Sequence, residues 1–285
     1  IPAENNGFVD AQSWKNWTPR LGAQYRLGDD TQVYASWTRG FRSGGYNFRI
    51  TAPAAIEAIA AVNGTFAFDE EKVDSYELGI KFQTGDRRLT LNAAGFRTDI
   101  ENMQREVNQS SPTSGVAQSI FNTADTQIYG LELEGRFAIS DSLLLSANLG
   151  LIDADYKRIL FDISGDGVIN AADAALALPR VPKTTWGVGL LYDLRLGGAS
   201  SLTARVNFQH RDQAAYTDNN FGWLNASDQL EGGFDWKAND WLTLSLYGKN
   251  LLDEVQFGGD PQVPFGGVLS DATNQPSDPR PAPGP

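Results

Sequence analysis

Residues 128–137 read IYGLELEGRF. Tyr129, Leu131, Leu133, Gly135 and Phe137 alternate with Gly130, Glu132, Glu134 and Arg136. Successive side chains of an extended chain point to opposite faces, so this stretch predicts a strand with one apolar and one charged face. The pattern continues in the next segment, 142–151, where Leu143, Leu145, Ala147, Leu149 and Leu151 oppose Ser142, Ser146 and Asn148. In 202–211, Leu202, Ala204, Val206 and Phe208 oppose Thr203, Arg205, Asn207, Gln209 and Arg211. In 241–249, Leu242, Leu244 and Leu246 oppose Thr243, Ser245, Tyr247 and Lys249. Such period-2 segments predict about ten strands, near 14–27, 31–46, 72–84, 87–105, 125–138, 142–156, 184–195, 200–216, 226–238 and 240–255. Several are longer than the usual strand of a soluble sheet. In 89–100, Leu89 and Leu91 fall out of phase with Phe96, which predicts a bulge there.

The connections alternate in length. Short ones fall at 28–30, 84–87, 139–142, 197–200 and 237–240, rich in the Gly, Asp and Asn that tight hairpins favour. Long ones fall at 47–70, 106–124, 157–183, 217–225 and 256–285. An all-β, antiparallel up-and-down sheet with short turns at one end and long loops at the other has the layout of a transmembrane β-barrel. Each strand entering a short turn carries an aromatic on its apolar face: Tyr25, Phe82, Phe137, Tyr192 and Trp236. Core aromatics of a sandwich need no fixed distance from a turn, whereas lipid-facing rings at a bilayer edge do. The other face carries Glu77, Lys81, Glu132, Glu134, Arg136, Arg205, Glu231, Asp235 and Lys237, as a wet or plugged lumen requires.

Composition excludes several functions. Among 285 residues there is no Cys and one His, so disulfide frameworks, thiolate or multi-histidine metal sites and a cysteine nucleophile are ruled out. No catalytic constellation is recognised. Glu132 and Glu134 share a strand face at i, i+2, but a glycosidase pair needs a cleft, and in a lumen such carboxylates serve plug contacts. The formal net charge of -12 argues against nucleic acid as a partner. Mean hydropathy is -0.33, and no stretch of about 18 apolar residues marks a spanning helix. Strands that show lipid only alternate residues escape that test. The opening IPAENNGFVD lacks the basic start and apolar run of a signal peptide, so the signal has been removed or the chain begins mid-protein.

Five segments together resemble TonB-dependent outer-membrane receptors. They are FRSGGYN (41–47), EEKVDSYELGIK (70–81, with Glu77, Gly79 and Lys81 in the familiar places), IYGLELEG (128–135), LPRVPKTTWGVGL (178–190) and GKNLLDE (248–254). Each is weak alone, but all five stand in family order at hairpin spacing. The resemblance implies a 22-strand barrel in the bacterial outer membrane, with a plug domain in its lumen. It implies uptake of a scarce, large small-molecule substrate, a ferric siderophore or else a glycan or cobalamin, driven through TonB, ExbB and ExbD. Residues 1–285 then correspond to a partial barrel of about ten strands, with the plug, the N-terminal strands and the final strand absent. The ending PRPAPGP departs from the terminal aromatic of the family. Two other readings stay open. A passive porin-like channel would lack plug sequence upstream of Ile1, and a soluble β-rich binding or adhesion protein would not need detergent.

The expected extracellular loop 157–183 contains DISGDGVINAAD (162–173). It resembles the calcium loop of dockerin and EF-hand repeats, which places oxygen ligands at alternate positions around a sharp Gly turn. Asp162, Ser164, Asp166, Asn170 and Asp173 stand at positions 1, 3, 5, 9 and 12. Gly167 stands at 6, the Val168 carbonyl at 7, and the apolar Ile169 at 8. Ser164 and Asp173 are weaker ligands than the residues usual at those places, and a plain surface turn explains the Gly and Asp residues equally. AADAALAL, which follows, predicts a short exiting helix over 171–177, and APAAIEAIAAV (52–62) predicts one in the first long loop. His210 and Asp212, with Tyr216 nearby, lie at the expected extracellular end of their strand, where a lone His is usually structural or exposed. Arg39, Arg42 and Arg49 flank FRSGGYN, placed to meet an anionic substrate or to pair with plug and loop carboxylates.

Overall fold

The computed structural model describes residues 11–47, 66–111 and 115–255. Ten strands form one antiparallel sheet in which sequence neighbours are spatial neighbours. They are β1 (Arg20–Arg26), β2 (Thr31–Arg42), β5 (Glu71–Gln83), β6 (Leu89–Ser111), β7 (Gly115–Ala138), β8 (Leu143–Ile159), β9 (Thr184–Gly197), β10 (Ser200–Arg211), β13 (Ser227–Lys237) and β14 (Thr243–Gly248). Two small ribbons stand apart in the connections: β3 (Gly45–Tyr46) with β4 (Ala67–Phe68), and β11 (Ala214–Ala215) with β12 (Trp223–Leu224). One helical turn, α1 (Ala171–Ala174), is the helix among the described residues, shorter than the 171–177 expected. The helix expected at 53–62 lies outside the described residues.

All five expected short turns join adjacent antiparallel strands, and the up-and-down order brings them to one end. Local chemistry sets them. Gly197 and Gly198 take positive φ, +105° and +59°, in a turn that would strain a side chain. In the β5–β6 turn the Asp86 carboxylate accepts from the Thr84 hydroxyl (2.6 Å) and the Arg88 N–H (3.1 Å).

The strand faces follow the sequence phase. On one face Tyr76, Arg97, Tyr129 and Asp153 share one level, and Leu78, Gly95, Leu131 and Leu151 the next. Leu131, Leu133, Leu190, Val206, Leu244 and Leu246 on this face are exposed, Leu246 at 64%. Leu143, Leu145, Leu149, Leu202 and Leu242 are half-buried against their neighbours and none is buried. Trp37, Tyr76 and Tyr129 mark a second aromatic level on the same face, which Trp186 of β9 shares. Along β7 it lies eight residues from Phe137, which at a strand tilt of about 40° is about 20 Å in height.

Two expectations need correction. The suspected bulge in 89–100 is absent, since β5 and β6 pair in continuous register from Lys72 to Gln83. Phe96 belongs to the polar face, where its ring fills the space left by Gly130 on β7. The irregularity falls later, between Ile100 and Gln104. The second correction concerns 106–124, expected as a loop. β6 and β7 continue as paired strands of 23 and 24 residues, with Ser111 opposite Gly115.

Among the described residues, buried apolar side chains are not spread along the sheet. They gather at the end away from the short turns, where Met103, Ala124, Tyr156, Ile163 and Leu178 form one cluster and Phe66 and Phe121 another. Ile100, Ile128 and Ala154 of the strands back the first cluster, so the 160–183 connection folds over the polar face.

Candidate functional site

That fold-over bounds a half-open cavity of about 1400 Å3 between the tall β6–β7 hairpin, the 160–183 connection and the 212–226 connection. The hairpin contributes Gln104, Arg105, Ile120 and Thr123, and the two connections contribute Phe161, Asp162, Arg180, Tyr216 and Asp218. Arg105 Nε donates to Asp218 Oδ1 at 2.6 Å, a contact across 113 residues. The Arg180 guanidinium lies 4.9 Å from the Tyr216 ring centroid, within cation–π range, and is exposed. Arg42 Nε donates to Gln104 Oε1 (2.6 Å), and Gln104 Nε2 donates in turn to the carbonyls of Ser43 (3.0 Å) and Asp69 (2.8 Å).

Asn220 fastens the two connections together. Its backbone takes φ +58°, a conformation Asn tolerates better than most residues. Its Oδ1 accepts from Ala177 N (2.7 Å) while Nδ2 donates to Ala177 O (2.9 Å), satisfying both polar groups of one peptide position. Arg180 N donates to Ala215 O at 2.6 Å beside it. The cavity is thus lined by aromatic faces and by charges of both signs, Arg42, Arg105 and Arg180 beside Glu106, Asp162 and Asp218, an arrangement suited to a large, polar ligand.

The residues of 162–173 form a wrapped turn on the cavity wall. Asp162 accepts from the N–H groups of Gly165 (2.8 Å) and Gly167 (2.7 Å), both glycines having positive φ. Asp166 accepts from Val168 N (3.0 Å) and Asn170 Nδ2 (2.7 Å). Asp173 is fully buried and accepts from Ile163 N (2.8 Å), Ser164 N (2.7 Å) and Asn170 N (2.8 Å). Burial alone would push its carboxyl up, but the N–H groups of Asn170, Ser164 and Ile163 outweigh that and hold it below the ordinary range. Asn170 in turn caps α1 by accepting from Ala172 N at 2.6 Å. Among the described residues no three His, Cys, Asp or Glu side chains are gathered to hold a metal.

Other candidates scatter. His210 stands on the apolar face, stacked on Trp186 (centroids 5.7 Å apart) and bonded to Asp228 (2.6 Å) and Asp212 (3.1 Å). Arg39 also faces that side, paired with Asp74 at 2.6 Å. Arg49 lies outside the described residues. Glu132 and Glu134 occupy the polar face in the sheet and do not line the cavity. Arg105, Arg180, Asp218 and Asn220 were not singled out from sequence. Only Asp218 and Asn220, within the turn-like DNNFG, carried a local signal.

Residues 3–251 match the family described as TonB dependent receptor-like, beta-barrel. The chain belongs to this family. It is 26% identical over 236 residues to the pesticin receptor of Yersinia pestis, which covers 82% of this chain and 31% of that protein. An 88-residue segment is 35% identical to the catecholate siderophore receptor Fiu of Escherichia coli, covering 30% of this chain and 11% of that receptor. The fold matches the ferric yersiniabactin uptake receptor FyuA from Yersinia pestis at a TM-score of 0.63, with 23% identity over 83% of this chain and 32% of the other. The siderophore receptor PiuA from Acinetobacter baumannii matches at 0.62 with 22% identity over 84% of this chain and 32% of that one. The chain thus spans about a third of the length of the relatives it matches. TonB-dependent receptors are transporters and receptors rather than enzymes, and this one belongs in the bacterial outer membrane. The apolar face is accordingly the lipid face and the polar face lines the barrel lumen.

Proposed function

We propose that this chain is the part of an outer-membrane barrel that forms the extracellular mouth of a ferric-siderophore uptake receptor, and that it performs no catalysis. The observation that carries the reading is the large, half-open cavity on the lumen side, lined by aromatic rings and by charges of both signs. The siderophore receptors among its relatives support the substrate class. β1 and β14 each pair on one side only among the described residues, and an open edge within a membrane leaves backbone groups unpaired. We infer that further strands of the same barrel close it around a plug, through which TonB, ExbB and ExbD supply energy. The decisive experiment is uptake of ferric siderophores carrying radioactive iron by iron-starved bacteria that express the full-length protein. Uptake that stops when the proton gradient is collapsed supports the reading. Entry that persists assigns a passive channel instead.

For residues 162–173 we propose weak calcium binding. The support is the spacing of Asp162, Ser164, Asp166, Val168, Asn170 and Asp173 around a turn already wrapped by Gly165 and Gly167. Asp166 would exchange the Asn170 amide for the ion, so the affinity belongs at the weak end, with a dissociation constant of about 10⁻⁴–10⁻³ M. Bound calcium would stiffen the cavity wall.

A further inference from the structure

Glycine inside a strand weakens it, so each one needs a cause. At four lumen-face positions the cause is a neighbour's side chain, while Gly22 and Gly40 on that face have none. A Cβ at Gly187 would meet Asn148 Oδ1 at 2.6 Å, one at Gly189 would meet Ser146 Oγ at 2.7 Å, and Gly79 and Gly130 are covered by the rings of Tyr34 and Phe96. Gly95 has no such cause. It lies on the lipid face without positive φ, and the nearest atom to its Cβ would be Gly130 O at an ordinary 3.9 Å.

What the missing side chain makes is a trough. Gly95 and Ala93 of β6 run between two exposed ridges, Tyr76, Leu78 and Ile80 on β5 and Tyr129, Leu131 and Leu133 on β7. The ridges stand two strand spacings apart, about 9–10 Å, which leaves room for one hydrocarbon chain between their side chains. Arg97 closes the upper end, at the level of the Tyr76 and Tyr129 rings. Its guanidinium lies 5.7 Å from the Tyr129 centroid and is held by Asp99, with Nε and Nη2 donating to Oδ1 at 3.1 and 3.0 Å. A guanidinium has five N–H donors, so others remain for a further acceptor, and the side chain is 48% exposed.

We propose that this trough seats one acyl chain of an anionic outer-membrane lipid, with its net-negative headgroup on Arg97. The apolar floor fits the chain, and the cation at the aromatic level fits the anionic headgroup. The inference rests on the apolar face being lipid-facing and not on what the receptor transports.

The test is native mass spectrometry of the full-length protein, extracted in detergent and supplied with phosphatidylglycerol or with phosphatidylcholine of the same chains. Wild type should retain one phosphatidylglycerol at least tenfold more than phosphatidylcholine. Gly95→Leu and Ala93→Leu fill the trough at two heights, and each should remove that retention. Arg97→Gln should lower phosphatidylglycerol to the phosphatidylcholine level. Heat-modifiable gel mobility identifies the variants that fold, and the two trough fillers back each other up. Equal retention of both lipids by wild type overturns the proposal, as does undiminished phosphatidylglycerol on a folded trough-filled variant or on a folded Arg97→Gln.

Discussion

Removing the Asp173 carboxylate should loosen the cavity wall without unfolding the barrel. In Asp173→Ala three backbone N–H groups lose their acceptor, those of Ile163, Ser164 and Asn170. Ser164 and Asn170 are partly exposed, so water replaces much of what they lose. Ile163 is 7% exposed, and its N–H is stranded. A hydrogen bond to a charged group contributes about 1.5–3 kcal/mol, and loss of a helix-capping interaction costs about 0.5–2 kcal/mol. The expected local cost is therefore about 2–5 kcal/mol, and at about 1.4 kcal/mol per tenfold, amides of 160–183 should lose roughly two decades of hydrogen-exchange protection. pH supplies an independent check. The folded carboxyl lies below its unfolded value of about 3.9, so its contribution is complete above that value and is lost as pH falls through the folded one. Wild-type protection in this segment should hold from neutrality to about pH 4 and decline below it, while the variant shows no such step. Unchanged exchange at Ile163 in Asp173→Ala would refute the account.

Further outcomes follow from the faces and the loop. Leu131→Arg, on the lipid face, should cost about 2–4 kcal/mol in denaturant unfolding from liposomes, whereas Glu132→Gln one residue along should be tolerated; the reverse order would exchange the two faces. Gly130→Ala drives a methyl into the Phe96 ring and should cost about 1–3 kcal/mol, most of it recovered in Gly130→Ala with Phe96→Ala, read from the same unfolding curves. Calorimetry on the full-length protein should give heat with millimolar calcium, less with magnesium, and none from this loop in Asp166→Ala; no heat with calcium, or equal heat from the variant, reduces 162–173 to a turn.

Most of the sheet could be read because the membrane imposes strict alternation. Lipid selects every second side chain, and the nine charges placed on the lumen face from Glu77 to Lys237 all lie there. The same constraint put Tyr25, Phe82, Phe137, Tyr192 and Trp236 on the lipid face beside the short turns. Legibility ends where the lipid ends. Above Tyr129 the β6–β7 hairpin is held by its ladder and by loops packed on its lumen side, so its sequence alternates for neither solvent and reads as a loop. Phe96 misled for a different reason: its phase is explained only by the space at Gly130, on another strand. The cavity was hidden because its pairs are distant in sequence. Arg105 finds Asp218 across 113 residues, and nothing near either one announces the other. The 162–173 pattern was visible, but the N–H donors that occupy its carboxylates were not.

The position of the buried clusters fixes an order of assembly. Met103, Ala124 and Tyr156 come from three successive strands, β6, β7 and β8, and Ile163 and Leu178 from the connection between β8 and β9. Their contacts close only after β6 to β9 are in register, and the Arg105–Asp218 contact only after β10 as well. Loop-closure entropy opposes such distant contacts until the strands between them have paired. The mouth therefore matures last, after the strands have reached the bilayer, and a strand slipped by one residue would turn its lumen charges to lipid and leave the roof unformed.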